Sequence, residues 1–136
     1  MTDRNETRFR QRLDNFSQAL AQLERACLKG ELSELERAGL VQMFEFSIEL
    51  TWNALKDALA WEGLVALTPR EAVRQAFEAG MIGEQDASTL LDGLEKRNLL
   101  SHTYYEEIAN LADRLIREDY APALRSVLNQ LQARLP

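Results

Sequence analysis

The sequence predicts an all-α fold: an antiparallel up-and-down helical bundle with a four-helix core and shorter helices beside it. Three observations carry this. Apolar residues recur in steps of three and four, no segment alternates with period two over a useful length, and two strong helix-start sequences punctuate the chain. A length of 136 residues, 46% of them hydrophobic, suits one domain over residues 1–136 with a core of its own.

In the first segment Phe9, Leu13, Phe16, Leu20, Leu23 and Cys27 form a narrow apolar stripe, and Gly30 marks its end. "SELE", Ser33 to Glu36, is a capping box that opens a long helix to about Trp61. Leu40, Met43, Phe44, Ser47, Leu50, Thr51, Ala54, Leu55 and Ala58 line its broad inner face, and Gly63 ends it. Core packing is the expected role of Trp52, with burial between subunits the alternative. "TPRE", Thr68 to Glu71, starts a short third helix: Thr68 caps, Pro69 takes the first helical position and Glu71 lies three residues past the cap. Gly80 and Gly83 close it. A fourth helix runs from about Glu84 into "EKRNLLSHTYYEE", residues 95–107. Ile108, Leu111, Leu115 and Ile116 then continue or resume the helix. Pro122 forces a start or a kink, and Leu124, Val127, Leu128, Leu131 and Leu135 give a last amphipathic helix.

The formal net charge is −6, from 22 acidic and 16 basic residues. That argues against a broad electrostatic grip on nucleic acid while leaving room for a local basic site. One cysteine excludes an internal disulfide, and Cys27 reads as a buried small hydrophobe. One histidine and one cysteine remove most zinc sites. The segment "MTDRNETRFRQR" lacks the apolar core of a signal peptide, and no run approaches the length of a membrane span, so a cytoplasmic protein is expected.

The chemistry concentrates in residues 95–107, which hold the only histidine. Wound as a helix at about 100° per residue, the stretch places Arg97, Asn98, Ser101, His102, Tyr104 and Tyr105 on one arc, with Leu99, Leu100 and Thr103 opposite. An imidazole exchanges protons near neutrality, and a guanidinium presents a fork of donors to phosphate oxygens. The pair suits metal-free phosphoryl transfer on RNA, the histidine moving the 2′-hydroxyl proton and the arginine neutralising charge on phosphorus. Spacing alone does not separate this from a surface histidine, and Tyr104 and Tyr105 read by default as packing residues. Glu45 and Glu49, one turn apart on the long helix, either orient a partner or pair with Lys56 or an arginine.

"RNLLSHTY" resembles the R-x4-H-x-Y motif of the HEPN superfamily, specifically its HepT-like toxins. Residues 40–63, "LVQMFEFSIELTWNALKDALAWEG", and 68–82, "TPREAVRQAFEAGMI", are similar to segments of the bacterial nucleotidyltransferase substrate-binding proteins. "LEKRNLLSHTYYEE" completes the pattern. Together these blocks cover roughly half of the chain, in the family's order and spacing. The resemblance implies a HEPN-like bundle, a homodimer, and a nearby-encoded minimal nucleotidyltransferase as partner. It also implies one of two functions. In one, the chain is the toxin of a type VII-like toxin–antitoxin pair, a metal-independent, cofactor-free endoribonuclease silenced when the nucleotidyltransferase antitoxin transfers AMP to a tyrosine. In the alternative it is the non-catalytic substrate-binding subunit of a two-chain nucleotidyltransferase, resembling the helical domain of kanamycin nucleotidyltransferase. Residue by residue, Arg97 and His102 match the motif's arginine and histidine, Asn98 the polar residue after the arginine, and Tyr104 the AMP acceptor. Ser101, Glu45 and Glu49 stand as possible orienting or partner-binding residues.

Overall fold

Six α-helices and one π-helical turn make up the fold, seen in a computed structural model that describes residues 4–136. They are α1 (Arg4–Leu28), α2 (Glu34–Trp61), α3 (Pro69–Glu78), α4 (Glu84–Leu100), α5 (Glu106–Leu115), the π-turn (Ile116–Tyr120) and α6 (Ala121–Gln132). The all-α expectation holds, and the described residues contain no strand.

The long helix α2 is the spine. It packs along α1 and also meets α3, α4, α5 and α6. Its start is the expected capping box: Ser33 Oγ accepts from the Glu36 N–H at 3.2 Å, and Glu36 accepts from the Ser33 N–H at 2.9 Å. Lys29 also bonds Glu36. That bond and those of Ser33 hold the Glu36 carboxyl down at about 2. At the other end Gly63 adopts φ +83°, a left-handed conformation that L-residues resist, while Leu64 N–H reaches back to Leu59 O at 2.8 Å. Thr68 caps α3 as expected, its Oγ1 accepting from the Glu71 N–H at 3.1 Å.

The stripe Phe9, Leu13, Phe16, Leu20 and Leu23 is fully sunk in the core, against Leu40, Phe44, Ile48, Leu55 and Leu59 of α2. Ser47 and Thr51 are buried too, and each satisfies its hydroxyl on the carbonyl one turn back, Met43 and Ser47 respectively. Trp52 packs on the core, its indole nitrogen enclosed with no acceptor among the described residues, and Trp61 lies 5.8 Å from the Phe9 ring. Gly93 lets α4 close on α2: a Cβ there would stand 2.9 Å from Ile48 Cδ1. Leu124, Val127, Leu128 and Leu131 bury the inner face of α6.

Two details depart from the sequence reading. Cys27 is only half-buried, its thiol pushed up by desolvation. Gly30 is not in a left-handed conformation. Instead Arg117 closes the end of α1, its guanidinium donating to the carbonyls of Cys27, Lys29 and Gly30 at 2.8, 2.7 and 3.0 Å while Nε holds Asp113 at 2.9 Å. Pro122 does mark a helix start as expected: it sits in the first turn of α6, directly after the π-turn, where the Ala121 N–H bonds Ile116 O.

Candidate functional site at the end of α4

The candidate residues do not share a helical arc. Helix α4 ends at Leu100, and residues 101–105 form a turn before α5 begins. The turn contains no glycine or proline, which is why the sequence reads as continuous helix. Its cause is local and polar. Ser101 Oγ donates to Asn98 O at 2.6 Å, and the N–H groups of Ser101 and His102 bond Asn98 O and Leu99 O at 3.3 and 3.1 Å. Tyr105 N–H bonds His102 O at 3.2 Å, and Glu106 and Glu107 then supply negative charge to the first turn of α5.

Both flanks of the turn are anchored to α2. Arg97 Nη1 meets Glu49 Oε2 at 3.2 Å, so of the bases that the sequence offered Glu49, an arginine pairs with it. Lys56 instead lies 6.0 Å from the Trp52 ring centroid. Beyond the turn, Arg37 Nη1 reaches Glu106 Oε1 at 3.1 Å and Asn110 Oδ1 at 3.2 Å. Arg37 and Glu49 are twelve residues apart on α2, about 18 Å of helix, and the turn is slung between them.

Two groupings result. Arg97, Asn98 and Ser101 line an open groove of about 430 Å³ with Glu45 and Glu49 of α2. Gln42 and Phe46 complete it. Sequence reasoning passed them over, although positions 42, 45, 46 and 49 share the helical spacing of an α2 face that the core does not use. His102 does not line this groove. It is paired with Tyr104: Tyr104 Oη and His102 Nδ1 are 2.8 Å apart, in a hydrogen bond whose direction follows the imidazole tautomer, and the rings meet edge-on at 5.5 Å. Tyr104 also borders a shallow surface with Glu34, Leu35, Ala38 and Thr103.

The tyrosines are not the packing residues that helical spacing made them by default. Tyr104 is 70% exposed and Tyr105 56%, their rings 4.7 Å apart and tilted. Leu100 is fully buried, whereas Leu99, expected to bury beside it, is 43% exposed because the chain leaves the helix there. Chemically, the end of α4 offers a cation held by one carboxylate, an imidazole reached by a phenol, and a phenol open to solvent.

A protein from Thermus thermophilus of known crystal structure superposes with a TM-score of 0.80 at 33% identity, covering 86% of this chain and 98% of that one. No curated protein matches the chain. The sequence profile described as "Nucleotidyltransferase substrate binding protein like" matches residues 11–133, from the first helix through the last and across the whole α4–α5 turn. The chain belongs to the nucleotidyltransferase substrate-binding-protein-like family.

Proposed function

We propose that this chain works with a nucleotidyltransferase partner, as its family's description implies, and that it is a HEPN-type endoribonuclease silenced by AMP transfer to Tyr104. The observation that carries the reading is the Tyr104–His102 hydrogen bond beside the Arg97 groove. The most exposed phenol of the chain touches its only imidazole.

In RNA cleavage a ribose 2′-oxygen attacks the adjacent phosphorus, the P–O5′ bond breaks, and a 2′,3′-cyclic phosphate and a 5′-hydroxyl result. His102 takes or gives the proton that this exchange moves, and Arg97 stabilises the charge that builds on the phosphoryl oxygens. Asn98 and Ser101 bound the same groove and orient the strand. The pairing with Glu49 keeps Arg97 in place until a phosphate displaces the carboxylate. Each chain carries one such arginine and one histidine, and a homodimer would supply the second proton carrier.

Silencing follows from the same contact. In AMP transfer Tyr104 Oη attacks the α-phosphorus of ATP and pyrophosphate leaves. The phenol oxygen then has no proton to donate to His102, and a nucleotide with its phosphodiester charge occupies the turn. The expected result is a gain of one adenylyl group in intact mass when the chain is incubated with the nucleotidyltransferase and ATP, absent in Tyr104→Phe. RNA cleavage should fall at least about 100-fold in Arg97→Ala and in His102→Ala with circular dichroism unchanged. The family's description is also compatible with a second reading, in which the chain only presents a substrate to the nucleotidyltransferase. No cleavage by the wild-type protein would select it.

A further inference from the structure

The chain is acidic overall, yet one trough on its surface is lined by three arginines and no carboxylate. It measures about 630 Å³ and runs along the first half of α1, bordered by Arg4, Thr7, Arg8, Gln11, Arg12 and Asn15. Every one of these side chains is a hydrogen-bond donor. Arg4, Arg8 and Arg12 stand four residues apart, so the three guanidinium stems rise along the helix in steps of about 6 Å, comparable to the spacing of successive phosphates on a nucleic-acid strand. Arg4 and Arg8 are exposed and, among the described residues, have no ion-pair partner. Arg12 is held by Asp57 through Nε at 3.1 Å and also lines the trough. The neighbouring Arg10 is engaged elsewhere, with Glu6.

The position of the trough gives it a purpose. Arg12 is tied to Asp57 and Arg97 to Glu49, and these two carboxylates are eight residues apart on the same helix. The basic trough therefore starts about 12 Å along the α2 axis from the Arg97 groove, a distance that a few nucleotides of extended strand cover.

We propose that the Arg4–Arg8–Arg12 face of α1 is a backbone track for single-stranded RNA, holding phosphates upstream or downstream of the one that reacts at the Arg97 groove. The inference rests on the ribonuclease reading and adds to it where the rest of the strand lies. Donors without a base-reading pocket make the track tolerant of sequence, its grip electrostatic and salt-sensitive.

The test is fluorescence anisotropy of a labelled 2′-O-methyl oligoribonucleotide, which binds but cannot be cleaved, with the full chain at several salt concentrations. The double variant Arg4→Gln, Arg8→Gln removes two charges, keeps reach and leaves the Arg12–Asp57 pair intact. Its affinity should fall about tenfold, and the slope of log K against log salt should flatten by about 1.4, two single-strand phosphate contacts' worth. On a cleavable RNA, KM should rise with kcat unchanged. A double variant that matches wild type in affinity and slope, while wild type still cleaves, overturns the track and leaves the ribonuclease reading standing. A wild type that neither binds nor cleaves RNA overturns both. Loss of binding to the nucleotidyltransferase in the double variant, with RNA binding untouched, overturns the track in favour of a protein-docking face.

Discussion

Tyr120 shows how one hydroxyl joins three helical segments. The residue is 2% exposed, its ring stacked on Phe44 of α2 at 4.9 Å and its Oη donating to Asp92 of α4 at 2.6 Å. Burial, then the bonded Asp92, pushes the phenol above its usual range, so it stays protonated and keeps donating. Burial alone would raise Asp92, but the bonds from Lys96 and Tyr120 outweigh it and hold that carboxyl low. Tyr120→Phe keeps the ring stack and deletes the donor to a charged acceptor. It should lower unfolding free energy by about 1–2 kcal/mol in denaturant titration. At this scale the sequence showed which residues are apolar but not which polar atoms meet. The partnership of Tyr120 with Asp92 spans 28 positions, and that of Arg117 with the end of α1 nearly 90. Helical spacing predicts neighbours only within a turn or two. The Tyr104–His102 contact escaped for another reason: two residues apart, these side chains cannot meet on a helix and meet here because the backbone turns.

Helix starts were the most legible elements, because a cap is written in four consecutive residues. Ser33–Glu36 and Thr68–Glu71 sit in the structure as the sequence places them. The α2 cap also has a pH signature. The Glu36 carboxyl is lowered from 4.5 to about 2 by Lys29 and Ser33, so its contribution is full above pH 4.5 and is lost as pH falls toward 2. The stability gap between wild type and Glu36→Gln, followed by thermal melts, should therefore narrow steadily between pH 4.5 and 2. A gap that stays constant over that range would separate the carboxyl's ionisation from the cap's strength. Helix ends were harder to read. Those at Gly63 and Gly80 carry the left-handed residue that announces a stop. The end of α4 carries no such residue and depends on Ser101 folding back on Asn98. The candidate residues thus lie on a turn, not on the continuous helical arc that their spacing predicted.

For the whole molecule, the bundle class was legible because α1, α2 and α6 each bury one apolar stripe, and such stripes must face one another. What the stripes leave over is the outer face of α2, where Leu35 is 83% and Phe46 57% exposed, Phe46 lining the same groove as Arg97. Under the proposed homodimer a second copy covers this face. Light scattering should then return the mass of two chains for wild type and of one for Phe46→Glu, with unchanged helicity. A wild type that cuts RNA fully as a monomer would remove the dimer from the mechanism. The π-turn between α5 and α6 sets the register of the last helix. Ala112, Ile116, Tyr120, Leu124 and Leu128 stand four residues apart and are all buried, a spacing slightly too wide for an unbroken α-helix. The wider turn absorbs part of that surplus, as a one-residue insertion in an α-helix would. A relative that lacked one residue between positions 116 and 120 would carry its last helix rotated by about 100°, with Leu124 and Leu128 turned off the core unless the downstream sequence had shifted in compensation.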